Sequence, residues 1–314
     1  MPKEPFKYIF GPVPSRRLGK SLGIDLIPFK TCCLNCLYCE CGKTTVHTLE
    51  RKEYIPARAI IREIDVFLSG APSLDVITFA GGGEPALNTA LPELLRHIQT
   101  RYPQYKTALL TNGSLLYLEE VRQSSLAFDF VLPSLDAVRQ QTFEKINQPA
   151  GGLSNRRAID GLITFSKMYS GILWVEVFII PGINDDEVEL ALFKETLEKV
   201  SLDRVHLNTL DRPPAYEGVR PASPERLRQI ARLLAPLPVE IISRKAEAGP
   251  RITISRREID YFLATLRRRP MTVEDLAVTL GKNINEMYVL LDTLFSRKLI
   301  TSQVVNNRTF YQAL

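Results

Sequence analysis

The chain has 314 residues, of which 45% are hydrophobic and 24% charged, with a formal net charge of +5 at pH 7. This is the composition of an ordinary folded protein. No run approaches the roughly 18 apolar residues of a membrane span. The opening MPKEPFKYIF lacks the apolar core of a secretory signal. A cytoplasmic protein with reduced thiols and no membrane association is expected, which argues against a disulfide framework.

In chain order, residues 22–28 (LGIDLIP) read as a strand leading into a cysteine-rich loop. Further short runs rich in β-branched and aromatic residues follow at 75–80, 107–111, 128–132, 173–180 and 204–210. Segments of helical period lie between them, at 57–68, 91–100, 116–124, 156–168 and 186–200. Strands alternating with helices predict a parallel sheet with right-handed crossovers. No dinucleotide glycine fingerprint follows the first strand. We therefore expect a partial (β/α)6 TIM-like barrel over residues 1–248, with chemistry at the C-terminal strand ends.

A second unit is expected over 249–314, opened by the pair Gly249-Pro250. An amphipathic segment at 258–266, helices at 272–280 (closed by Gly281) and 283–294, and a hairpin at 300–311 turning at Asn306-Asn307 follow one another. That is the order of a winged-helix-like domain. From Pro250 onward there are ten Lys/Arg against six Asp/Glu, so the positive charge is concentrated here.

All five cysteines, Cys32, Cys33, Cys36, Cys39 and Cys41, fall within TCCLNCLYCECG at 31–42. Cys32, Cys36 and Cys39 have the spacing C-x3-C-x2-C. Three thiolates can hold three irons of a 4Fe–4S cubane and leave the fourth open to a ligand, whereas a closed cluster uses four cysteines. A four-thiolate zinc site from Cys33, Cys36, Cys39 and Cys41 is the alternative, although the spacing is compressed for it. The second strand then runs into Gly81-Gly82-Gly83-Glu84-Pro85. Adjacent glycines at a strand end let a ligand approach the backbone. This suits the ammonium and carboxylate of an amino acid, with Glu84 as an acceptor.

With both motifs in hand, the sequence resembles the radical S-adenosylmethionine superfamily. The matching residues are Cys32-x3-Cys36-x2-Cys39 with Tyr38, Gly82-Gly83-Glu84-Pro85, Thr111-Asn112-Gly113 and Pro133-Ser134-Leu135-Asp136. The segments PVPSRRLGKSLGIDLIP, LLTNGSLL and LNTLDRPP are similar to the bacterial group related to wyosine synthase. Molybdenum-cofactor cyclases look like more distant cousins.

The resemblance implies a 4Fe–4S cluster on Cys32, Cys36 and Cys39, with Cys33 and Cys41 spare. It implies S-adenosylmethionine seated by Tyr38, Gly82, Gly83, Glu84, Asn112, Ser134, Asp136 and Asn208. A low-potential electron donor of flavodoxin or ferredoxin type would reduce the cluster. Reductive cleavage would give a 5′-deoxyadenosyl radical that abstracts hydrogen from an unidentified substrate, which could be RNA, a peptide or a small molecule. Wyosine synthases add a second cluster and a lysine for a carbonyl substrate. This chain has no cysteines left over and no lysine in the strand segments named above. Where relatives carry histidine after an asparagine–proline segment, Asn147-Gln148-Pro149-Ala150-Gly151 stands here.

Polar residues set into apolar strands are costly to bury unless paired. Asp25, Asn112, Glu176, His206 and Asn208 are therefore candidate cavity lining. Glu176 is read as a catalytic or substrate-facing residue, and His206 as a satisfied structural hydrogen bond. The segment 283–294 carries no Lys or Arg, so sequence-specific DNA reading is not expected of it. The competing readings are an iron–sulfur nucleic-acid-binding regulator and an activase that places a glycyl radical on a partner protein.

Overall fold

The computed structural model describes residues 6–15, 17–211 and 214–242. In the C-terminal region it describes 259, 263, 266–267, 270–280, 284–305 and 308–314. The chain divides into two compact units, Met1–Arg244 and Lys245–Leu314.

The first unit is an α/β fold on an eight-stranded sheet. Its strands are β1 (Ile9–Ser15), β2 (Gly19–Ile24), β5 (Val76–Phe79), β6 (Lys106–Thr111), β7 (Phe130–Pro133), β8 (Ile172–Phe178), β9 (Arg204–Asn208) and β10 (Val239–Ile241), in that spatial order. Only β1 is antiparallel to its neighbour; all other pairs are parallel. Two further short strands, β3 (Thr31–Cys32) and β4 (Val46–His47), pair with each other and close the cysteine loop.

Among the described residues of this unit seven α-helices link or follow the strands: α1 (Ala57–Leu68), α2 (Leu91–Arg101), α3 (Glu119–Ser125), α4 (Gln140–Asn147), α5 (Asn155–Met168), α6 (Glu187–Leu197) and α7 (Pro224–Leu233). Their sequence logic is local. Helix α1 buries Ala57, Ile60, Ile64 and Leu68, one face at helical spacing. Ser154, Asp186 and Ser223 cap α5, α6 and α7 by accepting from the third residue onward.

The sheet has two unlike faces. Leu109, Val131, Val175, Val177, Val205 and Leu207 join the helices in the main core. Each fully buried side chain of this kind contributes roughly 1.5–3 kcal/mol. By two-residue alternation, Trp174 and Glu176 on β8 and His206 and Asn208 on β9 turn to the other face. A smaller apolar cluster of Leu18, Val76, Ala108 and Leu132, with Trp174 packed against it, occupies part of that face.

The six strands expected from sequence are all present, and β1 and β10 are additional. Pro12 and Pro14 speak against a strand at β1, but β1 lies at the sheet edge, where a missing N–H donor is tolerated. Strand β10 has three residues on the opposite edge, too short to show a period. Strand β2 also starts and ends earlier than the expected 22–28, because residues 25–28 already leave the ladder toward the cysteine loop.

The second unit contains α8 (Val273–Leu280), α9 (Ile284–Ser296) and an antiparallel pair, β11 (Ile300–Val305) with β12 (Arg308–Ala313). Leu276, Met287, Leu290, Leu291, Leu294 and Ile300 form its core. Thr272 and Asp275 cap α8 reciprocally, each side chain accepting the other's backbone N–H at 3.3 Å. The expected boundary at Gly249-Pro250, most of the segment 258–266, Gly281 and the turn Asn306-Asn307 lie outside the described residues. Among the described residues no helix is long and apolar enough to cross a membrane.

Candidate functional site

The cysteine loop is docked by its backbone. Asn35 N–H donates to the Asn147 carbonyl at 2.8 Å, Leu37 N–H to Ile146 at 2.9 Å, and Ala150 N–H to Cys33 at 2.9 Å. These bonds fix the loop on the end of α4, where Gln148 turns the chain with a φ of 42°. The Tyr216 hydroxyl accepts from Asn35 Nδ2 at 2.6 Å and also bonds Gln148.

The thiols then divide. Cys33 is fully buried, 3.0 Å from Ser114 Oγ and 3.2 Å from Asn112 Nδ2. Cys32, Cys36, Cys39 and Cys41 are half-buried. Asn112 Nδ2 lies 3.6 Å from Cys32 Sγ, Asn147 Nδ2 lies 3.3 Å from Cys36 Sγ, and Lys30 Nζ lies 3.1 Å from Cys39 Sγ. Each cysteine of the C-x3-C-x2-C spacing thus has a side-chain N–H donor within reach, although Asn112 is shared by Cys32 and Cys33. A hydrogen bond from Cys41, then one from Lys30, holds the Cys39 thiol down at about 5 despite burial. Hydrogen bonding from Cys33 lowers Cys32, whereas burial raises Cys33 and Cys36.

The glycine turn is joined to this loop. Lys30 N–H donates to the Gly82 carbonyl at 2.8 Å, and Glu84 N–H to the Thr31 carbonyl at 3.2 Å. A Cβ on Gly83 would stand 2.0 Å from the Thr31 carbonyl oxygen, and one on Gly81 2.3 Å from the Asp25 carboxylate. Only glycine permits this closeness. Gly82 N–H donates to Asp25 Oδ2 at 3.1 Å, while Asp25 Oδ1 is buried without a partner.

Glu84 itself faces inward. Its carboxylate accepts from Thr111 Oγ1 at 2.6 Å, Asn112 N–H at 2.7 Å and Ala86 N–H at 3.0 Å. Burial raises its pKa. The acceptor capacity expected to meet a ligand is thus engaged within the protein, where it ties the end of β6 to the glycine turn. Asn112 relays that tie to Cys32 and Cys33.

A second knot lies at the ends of β7 and β8. Tyr38 stacks on Phe178 with ring centroids 3.9 Å apart, and its hydroxyl donates to Asp136 Oδ2. Asp136 also accepts from Asn147 Nδ2 at 2.8 Å and Phe178 N–H at 3.1 Å. Burial lifts Asp136 to about 6. Asn112, Ser114, Ser134, Asp136, Asn147 and Asn155 share a cavity of ≈ 20 Å³, room for about one water molecule. Ser134 bridges by backbone to Glu176.

The Glu176 side chain has partners outside these knots. Arg17, which the sequence analysis did not single out, forms an ion pair with its Oε2, and Asn208 Nδ2 lies 3.3 Å from the same oxygen. His206 lies beside Glu176 in the register and packs against Trp174, with ring centroids 4.8 Å apart and planes tilted by 53°. Among the described residues its buried Nδ1 has no partner, so the expected satisfied hydrogen bond is not made there; the neighbouring ring is an indole without an acceptor. Lys30 was missed too, although a lysine next to the cysteine run with no acid nearer than Asp25 was a usable signal. For Arg17 there was none beyond its place before β2.

The residues fit an iron–sulfur cluster by their chemistry: three thiols in one loop, each facing an N–H donor. Among the described residues no group of three or more His, Cys, Asp or Glu is gathered to hold a single metal ion. A cubane takes one thiolate per iron, so its cysteines need not converge on one point. The four-thiolate zinc set would need Cys33, which is turned inward.

The family model of the radical SAM superfamily matches residues 26–193. The chain is 36% identical over 316 residues to a UPF0026 protein of Helicobacter pylori, covering 100% of both. In fold it is similar to a radical SAM methyltransferase from Sphaerobacter thermophilus, with TM-score 0.55, 17% identity, and coverage of 70% of this chain and 65% of that one. It is also similar to TYW1 with a lysine–pyruvate adduct bound, with TM-score 0.52, 16% identity, and coverage of 68% and 72%. The chain belongs to the radical SAM superfamily. Its members are generally enzymes, and the family implies a 4Fe–4S cluster and S-adenosylmethionine.

Proposed function

We propose that this chain is a radical S-adenosylmethionine enzyme with Cys32, Cys36 and Cys39 as the cluster ligands. The single observation that carries the reading is that each of these three sulfurs lies within reach of a side-chain N–H donor, the one at Cys32 being shared with Cys33. When bound, the cluster and S-adenosylmethionine supply a 5′-deoxyadenosyl radical that takes hydrogen from a substrate. The chain's own residues bind and orient. The Gly82–Gly83 backbone offers polar groups beside the cysteine loop. Glu84 and Asn112 hold that turn against Cys32, while Tyr38, Ser134 and Asp136 form the adjoining wall.

We read the sheet as a partial β/α barrel whose interior is the face carrying Glu176, Asn208 and His206. Glu176 lies there with Arg17 and Asn208, which supports a polar substrate held by charge and hydrogen bonds. Helix α8, helix α9 and the β11–β12 hairpin form a winged-helix-like module that recruits substrate or partner. Reduction comes from a donor of flavodoxin or ferredoxin class.

The test is anaerobic reconstitution with iron and sulfide, followed by dithionite and S-adenosylmethionine. Formation of 5′-deoxyadenosine is expected. A cluster whose spectrum ignores S-adenosylmethionine, together with salt-sensitive duplex DNA binding, would replace this reading with that of a regulator.

A further inference from the structure

Lys30 is only 3% exposed. Its backbone is fixed on both sides: N–H donates to Gly82 at 2.8 Å, and the carbonyl accepts from Thr45 and Val46 at 3.0 Å each. A φ of 59° turns the chain there. Among the described residues it forms no ion pair with a carboxylate; its ammonium meets Cys39 Sγ at 3.1 Å. A buried cation requires a counter-charge. Here the partner within reach is the sulfur of a proposed cluster ligand.

We propose that Lys30 sets the reduction potential of the cluster. The inference rests on the ligand assignment above. Asn112 and Asn147 offer neutral N–H groups to Cys32 and Cys36, whereas Lys30 offers a full positive charge to Cys39. Charge-assisted hydrogen bonds are roughly twice as strong as neutral ones. Hydrogen bonds to sulfur and net charge are levers on cluster potential. When one electron arrives from a low-potential donor, no bond forms or breaks and the site gains one negative charge. An ammonium at hydrogen-bond distance stabilises that added charge, so Lys30 raises the potential and eases reduction. The backbone bond from Lys30 to Gly82 holds the same residue beside the glycine turn.

The experiment is an EPR-monitored redox titration of the full chain, reconstituted anaerobically and poised with dithionite and mediators. Iron and sulfide contents are measured first. At the potential where the wild type is half reduced, Lys30→Met is expected to show a tenfold lower ratio of reduced to oxidised cluster. For a one-electron couple that is about 59 mV. Lys30→Gln, which keeps a donor but not the charge, falls between, and Lys30→Arg titrates near the wild type.

Coincident titration curves for Lys30→Met and wild type overturn the proposal. If Lys30→Met takes up no iron, Lys30→Gln against Lys30→Arg carries the same comparison. If no variant holds a cluster that the wild type holds, Lys30 is a scaffold for the loop and the proposal is overturned. A wild type that takes up no iron or sulfide overturns the ligand assignment itself, and that result is read before any titration begins.

Discussion

The rim of the site and the inner face below it are built in opposite ways. At the rim, Cys32, Cys36 and Cys39 come from one loop of the chain, and the glycine turn is bonded to that loop by backbone. On the inner face, Glu176 pairs with Arg17, 159 residues away, and with Asn208, 32 residues away. At the rim, Glu84 and Asp136 each accept three hydrogen bonds, while Asn147 Oδ1 and Asp25 Oδ1 are buried there with no partner among the described residues. On the inner face, His206 Nδ1 is buried and, among the described residues, has no partner. A rim built from one loop and one bonded turn suits a cofactor that is the same in every turnover. An unsatisfied polar group on the inner face suits a substrate that supplies the missing partner, since such a group is costly to leave alone.

The largest effect that would sharpen this contrast is at the rim. Cys32→Ala, Cys36→Ala and Cys39→Ala are each expected to abolish cluster uptake, measured as iron and sulfide per chain after reconstitution. Cys33→Ala and Cys41→Ala should keep it. Full iron content in any of the first three would break the assignment of the rim.

A smaller effect tests the inner face through pH. Burial, followed by the charge of Arg17, lowers the His206 pKa to about 4. Charged groups around it include Glu240, at 4.0 Å from Nε2, Glu176 and Arg204. In the folded chain the imidazole stays neutral between about 6.5 and about 4, where the unfolded chain binds a proton. Its contribution is therefore present above about 6.5 and is lost as the pH falls through about 4. Between pH 7 and 4.5 this is worth about 2 kcal/mol. Urea unfolding of His206→Gln should show a shallower loss over that interval, and an unchanged slope would contradict a buried neutral His206.

The smallest effect concerns Arg17 and Glu176, whose side chains are 17% and 16% exposed. Arg17→Met leaves the carboxylate with Asn208 alone and should cost about 1 kcal/mol. In a double-mutant cycle with Glu176→Gln the coupling should reach about 1 kcal/mol. Strict additivity would mean that the pair is incidental, and the inner face would then lose its link to the β1–β2 turn.

Much was legible in the sequence, because much of it is local. The C-x3-C-x2-C spacing and the glycine run after a strand need no tertiary knowledge, since a loop of ten residues keeps its own side chains within reach of one ligand. Helical period and the caps Ser154, Asp186 and Ser223 likewise act over three or four residues. The partners that do the electrostatic work were not legible. Lys30 is nine residues from Cys39, and it reaches that sulfur only because the left-handed turn at residue 30 and the bond to Gly82 aim it there. Glu84 looked like a ligand acceptor from its motif, yet folding brings Thr111 and Asn112 to its oxygens. Arg17 meets Glu176 across most of the first unit. The sequence by itself determined the family and the gathering of the cysteines in one loop, through short-range spacing. Which charge faces which was decided only when strand order brought distant residues into contact, because Coulomb and hydrogen-bond energies depend on distance in space and not along the chain.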